Sequence, residues 1–330
     1  MPKVKLAENT TCRILVEEGL KGTENQCIAL ARALNIAPET TYVDLRFPWT
    51  KISPPVLWGA GHAYKNAQTL FSSPFPDIVI ASGRKSILAA LQIKKASKGK
   101  VFTIQVLDPR ISSRHFDLVI APDHDDITGE NVIKTTGSLH NISPEFLKQH
   151  AGDYVDELKQ LPEPRIAVLI GGATRKTDFT TDTAQHLGEA LKTLVKNSGG
   201  SLMITASRRT GEAQAKILRQ AVAGLPHHFW DGHGDNPYFD YLHMADKIIV
   251  TNDSVSMATE ALGTGKPVYV AHIGTQGRRI EKFHDGLAKK GYTKPLSDRF
   301  EDWQPPVCDD MLSVCQEIEK RYKAHKEAQG

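Results

Sequence analysis

Short apolar runs alternate with longer amphipathic stretches along nearly the whole 330-residue chain, and this alternation restricts the fold more than any other feature. A strand buried on both faces reads as a continuous apolar run, and linking parallel strands takes a crossover of helix length. The predicted strands are Cys12–Val16, then 41–44, 78–81, 101–106 and 118–121; after a gap come Arg165–Ile170, 201–205, 247–250 and Val268–Ala271. Helix-length segments at 25–34, Ser86–Ala96, 180–198 and 211–223 lie between them. That order calls for an α/β protein with parallel sheets covered by helices on both faces.

The gap marks a boundary. A helix predicted over 144–161 is closed by Pro162 and Pro164, and a fresh strand then runs into Gly171-Gly172. The chain is therefore read as two doubly wound, Rossmann-like domains facing a cleft, 1–161 and 162–308. A last helix from 309 packs back on the first domain. Hydrophobic residues at 40% and charged residues at 24% can build two such cores.

Charge and cysteines exclude several classes. There are 41 basic and 38 acidic residues, a net +3, which does not argue for nucleic acid. Cys12, Cys27, Cys308 and Cys315 form no C-x-x-C pair, so neither a disulfide framework nor a zinc site is expected. Met1-Pro2-Lys3-Val4-Lys5 precedes no apolar signal region, and no window approaches the roughly 20 apolar residues of a spanning helix. The expected location is cytoplasmic, or peripheral at the inner face of a membrane.

In parallel α/β sheets, ligands collect where strands end and helices begin, and helix N-termini favour anions. Four turns qualify. The first is Glu18-Gly19-Leu20-Lys21-Gly22-Thr23-Glu24-Asn25-Gln26, whose plainer reading is a tight turn with Thr23 as N-cap. The second, Gly171-Gly172-Ala173-Thr174-Arg175-Lys176, pairs glycines with two cations and suits a diphosphate, although it matches neither the P-loop nor the G-x-G-x-x-G pattern. The third, Ser207-Arg208-Arg209-Thr210, offers guanidinium groups to a phosphate or is a solvated basic turn. The fourth is Asp253-Ser254-Val255-Ser256-Met257-Ala258-Thr259-Glu260, ahead of Gly263 and Gly265-Lys266-Pro267. Here Ser254 and Ser256 would meet a phosphate, and Glu260, one helical turn past Ser256, would accept both hydroxyls of a ribose. The plainer reading is a cap at Asp253 or Ser254 with Glu260 at the surface.

The fourth turn resembles the donor-binding segment of glycosyltransferase-B enzymes such as the peptidoglycan GlcNAc transferase. The chain is more closely similar to the mitochondrial-fission "elongated mitochondria" family of plant and bacterial proteins, which have a glycosyltransferase-B-like fold. The likeness runs through Gly22-Thr23-Glu24-Asn25-Gln26, Asp108-Pro109-Arg110, Pro122-Asp123-His124-Asp125, Thr136-Gly137-Ser138-Leu139-His140, Ser207-Arg208-Arg209-Thr210, Trp230-Asp231-Gly232 with Asn236-Pro237-Tyr238, and Asp253-Ser254-Val255-Ser256-Met257. It implies a nucleoside diphosphate sugar held by Gly171, Gly172, Arg175, Lys176, Ser207, Arg208, Arg209, Asp253, Ser254, Ser256, Met257 and Glu260. Gly22, Asn25, Gln26, Arg110, Ser138 and His140 would face the acceptor.

Sugar transfer needs a base near the acceptor hydroxyl and positive charge or amides for the departing diphosphate. Glu24 is the first candidate base, with His124, Asp125 and His140 behind it; the plainer reading of Glu24 is an acid favouring the helix dipole. The peptidoglycan enzyme has a His where this chain has Thr23, so no ready-made base stands there. Its membrane patch has no clear counterpart, although Phe47-Pro48-Trp49 and Val56-Leu57-Trp58 are candidates for exposure. No cofactor and no metal are expected: residues 122–126 gather carboxylates and a His without a second ligand group, and His227, His228, His233 and Asp235 read as an exposed loop. Two functions follow. One is a metal-independent glycosyltransferase or sugar-nucleotide epimerase. The other is a non-catalytic nucleotide-binding or scaffold protein linked to membrane or organelle division.

Overall fold

The computed structural model describes residues 6–7, 9–54, 59–174, 177–230, 232–308 and 310–329. The chain divides into two compact units, Met1–Asn141 with Asp309–Gly330, and Ile142–Cys308.

The first unit is built on β1 (Cys12–Val16), β2 (Pro38–Tyr42), β3 (Ile78–Ser82), β4 (Phe102–Val106), β5 (Leu118–Pro122) and β6 (Val132–Thr135). All pairings are parallel, in the order β2-β1-β3-β4-β5-β6. Its helices include α1 (Lys21–Ala33), the single-turn α2 (Trp49–Ile52), α3 (Ala60–Ala63) and α4 (Ala67–Leu70), and α5 (Ser86–Ala96). Every residue of β3, β4 and β5 is buried, as strands covered on both faces require. On one face Leu30 and Cys27 of α1 pack over Ile14, Ile80 and Ile104; on the other, Leu88, Ala89 and Ile93 of α5 pack near Leu15, Val79 and Val119.

The second unit repeats the plan with β7 (Arg165–Ile170), β8 (Ser201–Ala206), β9 (His227–Trp230), β10 (Lys247–Thr251), β11 (Val268–Ala271) and β12 (Thr293–Pro295). Their order is β12-β11-β10-β7-β8-β9, again all parallel. The helices are α6 (Pro144–His150), α7 (Val155–Leu158), α8 (Thr181–Ser198), α9 (Glu212–Val222), α10 (Tyr238–Met244), α11 (Val255–Leu262) and α12 (Arg278–Lys289). In α8, Thr180 caps the N-terminus by accepting from the Thr183 amide at 3.2 Å, Ala184, Leu187, Leu191 and Val195 line the buried face, and Gly199 ends it at φ 71°.

Several boundaries depart from the sequence reading. The units divide at 141/142, ahead of Pro162, because Ile142, Leu147 and Leu158 belong to the second unit's core and the Gly152 amide donates to Asp240. The helix predicted over 144–161 is two, with non-helical residues around Gly152 between them. The strands β6, β9 and β12 were not predicted; each is short, and the outermost strands of a sheet need no continuous apolar run. His227 and His228 are therefore half-buried strand residues, not an exposed loop: His228 Nδ1 meets the Tyr241 hydroxyl, and Nε2 lies 3.6 Å from Glu157 Oε1. The last helix, α13 (Asp310–Glu327), belongs to the first unit, with Val314, Cys315, Ile318 and Tyr322 in its core.

Candidate functional site

In the second sheet the strand order reverses between β7 and β10, which is where open α/β sheets bind ligands. Both strands end in short polar residues there. The Gly171 amide donates to Thr251 Oγ1 at 2.8 Å, and the Gly172 amide donates to Asp253 Oδ2 at 3.0 Å. Asp253, its side chain fully buried, also accepts from the Thr251 hydroxyl at 2.6 Å and forms an ion pair with Arg209 Nη2 at 2.7 Å.

The two glycines are required by this packing. A Cβ on Gly171 would stand 2.0 Å from Asp253 Oδ2, and one on Gly172, at φ +151°, would stand 2.0 Å from the Arg209 carbonyl oxygen. The β8 turn is stapled to the same place: the Ser207 and Thr210 hydroxyls each donate to the Gly171 carbonyl at 2.6 Å, and Arg209 Nη1 donates to the Gly172 carbonyl at 3.3 Å. Asn252 continues the weave, accepting from the Ile273 amide at 3.0 Å and donating to the Gly274 carbonyl at 3.1 Å. The Thr177 hydroxyl reaches Gln276 Oε1 at 2.8 Å. The amides that the sequence offered to a diphosphate are thus spent on holding four loops together, and Arg209 braces that lattice. Arg208 differs: it is exposed and makes no hydrogen bond or ion pair among the described residues. Arg175 and Lys176 lie outside the described residues.

Helix α11 starts at this lattice. Ser254 is its N-cap, accepting from the Met257 amide at 3.3 Å, and Ser256 and Met257 are half-buried in its first turn. One turn further, Glu260 Oε2 accepts from the Tyr238 hydroxyl at 2.5 Å. Burial pushes the Glu260 carboxyl up, and the Tyr238 bond opposes that shift. Lys266 Nζ closes α10 by donating to the Leu242 and His243 carbonyls at 2.7 and 2.6 Å. Behind the loops, on α12, His284 is buried with no hydrogen-bond partner on either ring nitrogen. Burial, then the His272 charge, brings it down to about 4.

The first-unit candidates are more dispersed. Helix α1 begins at Lys21, so Gly22, Glu24, Asn25 and Gln26 are helical, and Leu20 takes the N-cap position in place of Thr23, whose hydroxyl donates to the Leu20 carbonyl at 2.9 Å. Both Glu24 oxygens are engaged, by Lys21 Nζ and by the Tyr42 hydroxyl, each at 2.8 Å. The Lys21 bond leads in holding this carboxyl below its usual range. Gln26 is buried and accepts from the Leu139 amide at 3.2 Å, while Gly22 and Asn25 are exposed. His124 and Asp125 are buried, with Nε2 and Oδ1 3.9 Å apart. Lys134 Nζ donates to the Asp125 carbonyl at 2.5 Å. Arg110 is exposed at φ 57°, and Ser138 and His140 are half-buried. Phe47 is 74% exposed; residues 56–58 lie outside the described residues.

The sequence reading passed over the first sheet's own reversal point, between β1 and β3. Glu17 there accepts from the Lys85 amide at 3.0 Å and pairs with Lys85 Nζ at 3.5 Å, beside Gly83 at φ +90°. Arg84 donates to the Ser53 and Thr50 carbonyls at 2.9 and 2.7 Å. A glycine with two cations between strand and helix was the available signal, the same one that flagged Gly171. Among the described residues, no three His, Cys, Asp or Glu side chains gather as a metal site, and no helix is long and apolar enough to cross a membrane.

A family model described as mitochondrial fission ELM1 matches residues 21–322. The mitochondrial fission protein ELM1 of Arabidopsis thaliana is 30% identical over 285 residues, which is 78% of this chain and 66% of that protein, just under two thirds of its length. An uncharacterized protein of Rickettsia prowazekii is 28% identical over 300 residues, covering 78% of this chain and 82% of that one. Among solved structures, a glycosyltransferase from Rickettsia africae superimposes with a TM-score of 0.55 at 12% identity, over 97% of this chain and 93% of that one. The Staphylococcus aureus MnaA–UDP co-structure gives 0.54 at 12% identity over 97% and 91%, and a UDP-GlcNAc 2-epimerase from Methanocaldococcus jannaschii 0.52 at 12% over 94% and 92%. At such identities the likeness is one of fold.

Proposed function

The chain belongs to the mitochondrial fission ELM1 family, and we propose that its second unit binds the nucleoside diphosphate of a sugar nucleotide. The observations that support this are the α11 N-terminus starting at the β7/β10 reversal point, exposed Arg208 on the β8 turn that is stapled to the Gly171 carbonyl, and half-buried Glu260 further along α11. The diphosphate takes the α11 N-terminus and Arg208, where dipole and guanidinium favour its charge. The ribose takes Glu260. The reaction served is glycosyl transfer or sugar-nucleotide epimerisation, with fixed cations and helix dipoles carrying the leaving-group charge in place of a metal.

A second reading is a protein that holds the nucleotide without turnover. It is favoured by Glu24, whose two oxygens are already engaged and whose basicity is lowered, which suits a structural acid better than a general base.

The test is a thermal-shift screen of nucleoside diphosphates and their sugars. A ligand at 100 times its dissociation constant adds about 2.7 kcal/mol. A shift with one sugar nucleotide, lost in Glu260→Ala and reduced in Arg208→Ala, supports the reading. No shift with any of them sinks it, and binding without turnover selects the second reading.

A further inference from the structure

Glu260 is held by one oxygen only. Tyr238 donates to Oε2 at 2.5 Å, and Oε1 has no partner among the described residues. Glu260 is half-buried and Oε1 is not among the buried atoms left without a partner, so it faces solvent, where a ligand carrying hydroxyl donors takes the place of water. Phosphate oxygens cannot, since they carry the same charge as the acid. Of the parts of a nucleoside diphosphate, the vicinal diol of the ribose is the one with two hydroxyl donors side by side.

Tyr238 is itself well placed to orient the acid. Its amide donates to Asn236 Oδ1 at 3.1 Å in the turn that opens α10, which fixes the backbone beneath the ring. The terminal torsion of a glutamate is broad and roughly two-fold, so without the tyrosine hydroxyl no group among the described residues distinguishes one carboxylate oxygen from the other.

We propose that Tyr238 is the positioning residue of this site: by holding Oε2 it leaves Oε1 for the 2′- and 3′-hydroxyls of a ribose, and so selects ribonucleotides over deoxyribonucleotides. This rests on the nucleotide reading above and assigns its sugar selectivity to a residue that need not touch the ligand.

The experiment has two arms. In the first, calorimetry with UDP, CDP, GDP and ADP identifies the tightest nucleoside diphosphate, and its 2′-deoxy counterpart is then titrated into wild type and Tyr238→Phe. The wild type prefers the ribose form, and Tyr238→Phe loses about tenfold of that preference, the share of one hydrogen bond from the 2′-hydroxyl to the carboxylate. In the second, the Glu260 carboxyl is titrated without ligand by ¹³C NMR, its signal assigned with Glu260→Gln. Removing the hydroxyl takes away the bond that opposes burial, so the carboxyl titrates at higher pH in Tyr238→Phe, which a purely structural tyrosine would not cause. If a nucleotide binds but the ribose preference and the titration are both unchanged, the proposal about Tyr238 fails alone. If no diphosphate binds wild type, the nucleotide reading fails and takes the selectivity with it.

Discussion

Acidification should weaken the second unit through one histidine. His284 lies on α12 beside Phe283 and Leu287, 8% exposed, with neither ring nitrogen hydrogen-bonded. Burial is the leading reason it titrates at about 4, helped by the His272 charge and opposed first by the nearby Asn252 backbone and then by Asp253 and Asp285. An unfolded histidine titrates near 6.5. Between these values the unfolded chain takes up a proton that the folded chain refuses, so stability falls as pH drops from about 6.5 to about 4 and is fully present above that window. At pH 5 the loss comes to about 2 kcal/mol. The perturbation is His284→Leu, and the assay is urea unfolding of wild type and variant at pH 7 and pH 5. Comparing the two losses cancels the carboxylates that also titrate. Wild type should lose about 2 kcal/mol more than the variant over that interval. Equal losses would show that the ring is solvated or partnered and would refute the argument.

Gly172→Ala should be severe, destabilising by about 2–4 kcal/mol, because a Cβ would collide with the Arg209 carbonyl at a φ that L-residues rarely adopt; urea unfolding within about 0.5 kcal/mol of wild type would show that the turn relaxes freely. Asp310→Ala removes the carboxylate that accepts from the Thr136 amide at 2.6 Å and its hydroxyl at 3.2 Å. It should cost about 1–3 kcal/mol and raise hydrogen exchange through α13, whereas unchanged exchange would place the anchor elsewhere on that helix.

The legible part of the fold was its interior. β7 and β11 were read to the residue because strands covered on both faces leave uninterrupted apolar runs. The edge strand β2 starts earlier than predicted because Pro38-Glu39-Thr40-Thr41-Tyr42 carries no such run, and its pairing with β1 supplies the order instead. The site was half legible. Its loops were found because strand ends rich in glycine and serine are recognisable locally. What those glycines face was not: Gly172 meets an aspartate 81 positions away, and no window on the chain reports that. Tyr238 was quoted only as part of a family stretch, since its partner stands 22 residues on, across an intervening strand. Glu24, taken first as a candidate base, lies in the first turn of α1 as its plainer reading had it, and its engagement by Tyr42 follows from the β1–β2 pairing.

The return of α13 to the first unit has a consequence for synthesis. Ribosomes release the chain from its N-terminal end, and domains fold largely as they emerge. The second unit, all of it between Ile142 and Cys308, is complete in sequence before α13 has been made. The first unit must wait, because Val314, Cys315, Ile318 and Tyr322 fill its core last, and Phe102 stays without the edge-on ring of Tyr322 until then. The portion translated first is therefore the portion finished last. A chain truncated before residue 310 would hold every element of the second unit, while the first would lack the helix that fills its core and would leave that apolar face open to chaperones and proteases.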